Sequence, residues 1–425
     1  MSQADLTTSG GDGSIILTTL DGSITLTDGD TNNVAVSADG SGNILLAAGV
    51  NGAGTATSGI ALQANAAVQT VTGNIVLTAS RGDVVQAAGA NLVATTSAGG
   101  TSGTIGVQAS GSITMDAGAT DRTNGANLIL YALSGNITLG VLDARTNGDR
   151  AGGTLTNQAA WGLILVDTTV TGTTTGSILD AKTDATATTP NLYAAAARLS
   201  AGTAIGRLGA GVDNAIETEV IALAAQTTAN GGGIDLRDLT DVTIDTVGPI
   251  GISTLSAAGV ASAYNDTNAL SDLTSTANGS IVLRTVNGAI TLNDGANANG
   301  TAVSANGSGN VRIEAGGATS DVTVNAQILS GSGNITAIAG RSVSQQANLI
   351  VAANPGTIEV VATAGTITMG ATVVAQTGGA NIRYAAGLDI TLGVLDARTN
   401  ADRTGGTLAQ QSDATTPWGS VSVVA

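Results

Sequence analysis

The densest set of opposed charges in the chain is Asp143, Arg145, Asp149 and Arg150, and it occurs again as Asp396, Arg398, Asp402 and Arg403. Polysaccharide lyases and hydrolases build their sites from such material: clustered carboxylates, a basic group and, usually, aromatic platforms for sugar rings. The rest of the composition argues against that chemistry. There is no His, Lys182 is the only lysine, and the large rings are Trp161, Trp418 and four tyrosines. A complete active site present twice in one chain would also be unusual. The expectation is therefore an exposed Asp/Arg corner whose pairs each contribute little, with no catalytic and no cofactor-binding residues.

Other short motifs point to binding. Arg81, Gly82 and Asp83 spell the tripeptide that integrin ligands display on a loop, whereas the matching stretch of the second copy, Gly340 to Gln345, keeps only the arginine. The bland alternative is a polar turn between strands. Asp28, Asp30 and Asp39, with Asp12 and Asp21 nearby, could offer oxygen ligands to Ca2+. No Gly-Gly-x-Gly-x-Asp nonapeptide accompanies them, and solubilising turn residues are the stronger expectation. Thr-x-Thr pairs at Thr25, Thr70 and Thr366 suggest a water-ordering array, but they lack regular spacing, and threonine is also a good strand former.

These residues sit in an unusual chain. Its 425 residues carry a net charge of −17, 42% hydrophobic and 1% aromatic residues, 60 Gly and no Cys or Phe. The acidic balance excludes nucleic acid, which demands Lys/Arg clusters, and an anionic membrane surface. No apolar run is long enough for a transmembrane helix, and the first residues, MSQADLTTSGGDGSI, are not a signal peptide. An apolar mass of Ala, Val, Ile and Leu suits a narrow interior, whereas a sandwich or propeller would need more rings.

One local unit recurs throughout: a glycine, a small polar residue, then a short alternating run, as in GSIILTT at Gly13, GNIVLTA at Gly73 and GTIEVVA at Gly356. That is a strand with one buried face, opened by a turn. A larger repeat is superposed on it. ITLGVLDARTN, Ile137 to Asn147, recurs letter for letter at Ile390 to Asn400, and the block from Gly13 matches that from Gly279. Residues 1–165 pair with 271–425, while 166–270 occur once. Self-similarity at both levels is the signature of a solenoid. The expectation is one continuous all-β parallel β-helix over 1–425. It has two or three strands and about 20–25 residues per coil, hence roughly 17–21 coils and a rod on the order of 80–100 Å. Gly and Asn are expected at corners needing φ > 0. The alanine run in PNLYAAAARLSAGTAIG, Pro190 to Gly206, is read as strand rather than helix.

The succession NLYAAAARLSAGTAIG, NAIETEVIALAAQT and GGGIDLRDLTDVTIDTVG, flanked by GNITL-type runs, resembles the giant filamentous haemagglutinin-like surface proteins of bacteria. The resemblance covers the whole chain in style and is strongest over 176–250. It implies a right-handed β-helix within a long adhesin-type fibre, placed extracellularly or on the cell surface, with its export signal outside this chain. The partners expected are further copies of the repeat, end to end, and a host or neighbouring cell surface. A filament subunit stacking head to tail is the second expectation, and a polysaccharide-active enzyme the third.

Overall fold

The computed structural model describes residues 5–51, 57–95, 103–170, 172, 175–182, 189–209, 214–411, 413, 415 and 417–425. The chain forms two compact units. The first comprises Met1–Gly202, Ile216–Ile221 and Gly248–Ala269; the second comprises Thr203–Ala215, Ala222–Val247 and Leu270–Ala425. The two arms of the large repeat thus fall in different units, and the segment that occurs once is shared between them.

Each unit is a parallel β-helix whose coils cross three faces. In the first unit, strands Ile15–Thr18, Ile44–Ala48, Ile75–Ala79, Ile105–Ala109, Leu128–Ala132 and Leu163–Asp167 stack in parallel as the first face. Ile24–Leu26, Ile60–Leu62, Val84–Gln86, Ile113–Met115 and Ile137–Leu139 follow as the second face. Val34–Ala38, Ala67–Thr70, Leu92–Val93, Thr120–Arg122 and Val141–Asp143 form the third. The second unit repeats the plan, with first-face strands from Ile234–Asp238 to Val421–Val424. Alternation does the sorting: Ile44, Leu46 and Ala48 point inward with Ile75, Leu77 and Ala79 above them, all fully buried. The alanine run is indeed extended, within the strand Leu192–Ala201.

The corner before the first face explains the Gly-polar-apolar unit. A Cβ on Gly73 would overlap the carbonyl of Gly42, one on Gly103 that of Gly73, and one on Gly333 that of Gly309. These glycines have no positive φ. The expectation of positive φ is met elsewhere, at Gly40, Gly89, Asn65 and Asn278; Gly73, Gly103 and Gly333 are needed instead because the backbone of each coil rests on the carbonyl beneath it. The next residue ties the coils together. The Asn43 side-chain oxygen accepts from the Asn74 amide at 2.9 Å, and that of Asn74 accepts from Thr104 at 2.9 Å. The second unit does the same from Asn310 to Asn334 and from Asn334 to Thr357. Along these ladders the partners lie 31, 30, 24 and 23 residues apart, and 36 and 39 where the helical corners described below intervene. Coils are thus mostly longer than expected, and correspondingly fewer.

Among the inward positions that break the apolar rule is a carboxyl on the third face. The third-face column of the first unit runs Val36, Val68, Leu92, Asp121, Leu142, Leu192. Asp121 is fully buried; its Oδ1 accepts from Gln86 Nε2 at 2.7 Å and from the Leu92 amide at 3.3 Å, and its Oδ2 has no partner. Burial pushes this carboxyl up to about 7 against those two hydrogen bonds. In the second arm Ala375 stands at this place between Leu349 and Leu395, and Gln345, the counterpart of Gln86, accepts instead from the buried Tyr384 hydroxyl at 2.7 Å.

Two outcomes follow. Gly73→Ala is expected to cost roughly 2–3 kcal/mol in urea unfolding, since the groups a Cβ meets are backbone, whereas Asn74→Ala costs about 1 kcal/mol. The folded state binds the Asp121 proton more tightly than the unfolded chain does. The contribution of this one group to stability is therefore full below about pH 4 and is lost as pH rises through about 7. Asp121→Asn should raise the free energy of urea unfolding at pH 8 by on the order of 2–4 kcal/mol, and leave it nearly unchanged at pH 4.

Candidate functional site

The duplicated charged motif folds into a corner with a helical turn. ITLGVL is not one strand: Ile137–Leu139 lies on the second face and Val141–Asp143 on the third. The bend falls at Gly140, where a Cβ would overlap the carbonyl oxygens of Ala119 and Asp116. After Asp143 the chain enters the short helix Asn147–Gly152, whose first turn is capped by the Thr146 side chain and whose end is closed by Gly153 at φ 60°.

The charges face inward, and the expectation of an exposed array is corrected. Asp143 is 3% exposed. Arg145 grips it with Nε at 3.0 Å and Nη2 at 2.7 Å, and Arg150 adds Nε at 2.9 Å. Arg150 also donates to Asn147 Oδ1 and to the carbonyls of Thr123 and Arg145, closing three backbone segments over one guanidinium. Asp149 accepts from the hydroxyls of Thr146 and Thr154 and from Trp161 Nε1 at 2.9 Å. The Arg145 guanidinium stacks 3.8 Å from the centroid of Tyr193, which meets Trp161 edge to face.

The second copy reproduces this network. Asp396 accepts from Arg398 at 3.0 and 2.8 Å and from Arg403 at 3.0 Å, while Asp402, 2% exposed, accepts from Trp418 Nε1 at 2.7 Å. Burial works against the charge on Asp143 and Asp396, but the arginine hydrogen bonds outweigh it and hold both carboxyls below the ordinary range. Hydrogen bonds from Thr146 and Trp161 do the same for Asp149, and Thr407 and Trp418 for Asp402. These four carboxylates stay charged at neutral pH with their oxygens occupied. None is placed to carry a proton to a substrate.

The binding motifs are likewise absorbed into the stack. Arg81 pairs with Asp21 at 2.6 Å and reaches Ser58, and Asp83 Oδ1 accepts the Ser112 amide of the next coil at 2.7 Å. Both ends of the tripeptide Arg81-Gly82-Asp83 thus make contacts to other coils, while Asp83 itself stays exposed. The carboxylates that converge within 4.8 Å among the described residues are Asp5, Asp28 and Asp30. Asp39 is engaged elsewhere, with the amides of Gly10 and Gly40. Asp28 accepts from the amides of Thr31 at 2.9 Å and Asn33 at 3.0 Å, holding those two residues at φ 67° and 65°. Asp28 thereby anchors that left-handed turn.

Threonine spacing misled in the other direction. On the second face of the second unit, Thr243, Thr291, Thr323, Ser344, Thr368 and Thr391 stack in register, one per coil. Unequal coil lengths hide this file in the sequence. It is a single row, not the paired array that Thr-x-Thr suggested. Sequence reasoning also missed the roles of Trp161, Trp418 and Tyr193. Their recurrence beside an Asp/Arg motif was the available signal for the two tryptophans; nothing local marked Tyr193.

Trp161 and Trp418 are the only tryptophans, so intrinsic fluorescence reports these corners. A carboxyl held low in the fold contributes stability that is present above about pH 4 and lost as pH falls through its folded value. Acid titration should therefore red-shift the emission below about pH 4, with Asp149→Asn removing the Trp161 share of the change. Arg150→Ala, which strips a buried carboxylate and two carbonyls of donors, is expected to cost roughly 2–4 kcal/mol by urea unfolding.

Comparison with known proteins found no family model, no curated protein and no solved structure that matches this chain.

Proposed function

We propose that the chain is a structural, non-catalytic segment of a large bacterial cell-surface or extracellular fibre protein of the adhesin type. The observation that carries this reading is where the polar chemistry goes. The Arg-Gly-Asp turn and the asparagine ladders spend their hydrogen bonds on holding coil to coil, and the Asp/Arg/Trp corners close mostly on themselves, with Arg150 reaching back to the Thr123 carbonyl and the Asn147 amide to Asn124 of the coil before. A solenoid suits such a role because its stability is a sum of neighbour contacts, so length is gained without redesigning a core. Among the described residues no helix is long and apolar enough to cross a membrane.

Two measurements test the proposal. Antibody raised against the purified chain should label intact source cells or their extracellular fibres, and labelling confined to the cytosol would overturn the placement. Light scattering at rising protein concentration should give a constant monomer mass. Growth into end-to-end polymers would favour the filament-subunit reading, and turnover of an acidic polysaccharide would sink both.

A further inference from the structure

The first unit carries one element foreign to the coil plan, an antiparallel hairpin of Gly251–Leu255 and Ala261–Asn265, from the segment that occurs only once. It lies over the outer side of the first face. Asn127 Nδ2 donates to the Gly251 carbonyl at 2.8 Å, and the Ser253 amide donates to Thr104 Oγ1 at 2.8 Å. Leu255 packs on Leu45, Ala47 and Val76. Ile252 occupies the space over Gly106, where a Cβ would come within 2.6 Å of its Cδ1. Beyond the hairpin, Asp266 forms a buried ion pair with Arg198.

The internal duplication supplies a control. The outward column beneath the hairpin reads Ile16, Leu45, Val76, Gly106, Ile129, Leu165. The same column of the second unit reads Val282, Arg312, Thr336, Glu359, Arg383, Ser422, with Glu359 and Arg383 paired at 2.6 Å. The first-face exterior is thus apolar where the hairpin lies and polar in the copy built without it. Yet the hairpin does not fill the space it covers. A half-open cleft of about 350 Å3 remains between hairpin and sheet.

Its walls are aliphatic, from Val76, Ile129, Ile252 and Leu255, and its edge is neutral and polar, from Thr78, Gln108 and Thr254. Two of the protein's four tyrosines meet there, Tyr131 from the sheet and Tyr264 from the hairpin. Their rings are edge to face at 6.3 Å between centroids and their hydroxyls are 3.4 Å apart. Among the described residues no charged side chain lines the cleft. Asp167 and Asp266 act on Tyr131 from just outside it, with one arginine, Arg198, already bound to Asp266. Anions are therefore disfavoured.

We propose that this cleft binds one or two rings of a neutral carbohydrate. The C–H face of a sugar lies against Ile129 and the tyrosine pair, and its hydroxyls meet Thr78, Gln108, Thr254 and the phenol groups. The volume falls within the range of small-ligand sites, and an apolar floor with a neutral hydrogen-bonding rim matches a hydroxylated ring better than a purely apolar or a charged molecule. The site stands whether or not the chain is part of a surface fibre.

Titration calorimetry and saturation-transfer NMR on the whole chain test it. The probes are the methyl glycosides of glucose, galactose, mannose and N-acetylglucosamine, with cellobiose, maltose and lactose, against glucuronic acid as the charged control. At least one neutral probe should saturate below roughly 20 mM, with glucuronic acid about tenfold weaker or worse. Tyr264→Ala, at a partly exposed position, and Gln108→Ala, at an exposed one, should each weaken the best probe by about tenfold while leaving circular dichroism and melting temperature unchanged. The proposal is overturned if no neutral probe saturates, if both variants bind as the parent does, or if glucuronic acid binds equally well.

Discussion

The whole architecture rests on how closely one coil can approach the next at the corner before the first face. Gly42, Gly73 and Gly103 in one unit, with Gly309, Gly333 and Gly356 in the other, stand directly over a backbone carbonyl of the preceding coil. Any side chain there would push the coils apart and break the parallel hydrogen bonds on both sides of the corner. The residue that follows converts proximity into registration, because the side-chain oxygen of Asn43, Asn74 or Asn334 accepts the amide one coil above. Once that register is held, the period-two alternation carries Ile, Leu and Ala into continuous inward columns.

A narrow interior limits what can be buried, and the two arms deal with that limit differently. Gln86 and Gln345 occupy the same inward place, but one is answered by a carboxyl, Asp121, and the other by a phenol, Tyr384. The first solution leaves a carboxyl in an apolar column and a pH dependence with it; the second does not. The Asp/Arg/Trp corners, by contrast, agree in both arms almost bond for bond. Breaking any one partner there would strand a charge away from water, a much larger cost than loss of a surface pair.

The hairpin shows a third way in which neighbouring structure decides chemistry. Glu359 and Arg383 answer one another on an open face, while their counterparts Gly106 and Ile129 lie beneath an added element. A column facing water needs polar side chains. A column facing Ile252 and Leu255 needs space and apolar surface.

Much of this was legible in the residues alone. Alternation, the recurring glycine and the scarcity of rings determined a parallel β-helix, because only a narrow stacked interior suits small branched side chains. The strand nature of Leu192–Ala201 was legible as well. What the charged residues do was not. Asp143 and Arg145 read as a solvated corner because spacing says nothing about the coil that folds over them, from which Tyr193 comes. What Arg81 and Asp83 meet could not be read because Asp21 and Ser112, their partners, lie in other coils. The threonine file was hidden by unequal coil lengths, and the meeting of Tyr131 with Tyr264 by the 133 residues between them. Local pattern determines which way a side chain points relative to its own strand. Only the stacked structure decides what it meets, since each contact across coils depends on the summed length of every turn in between.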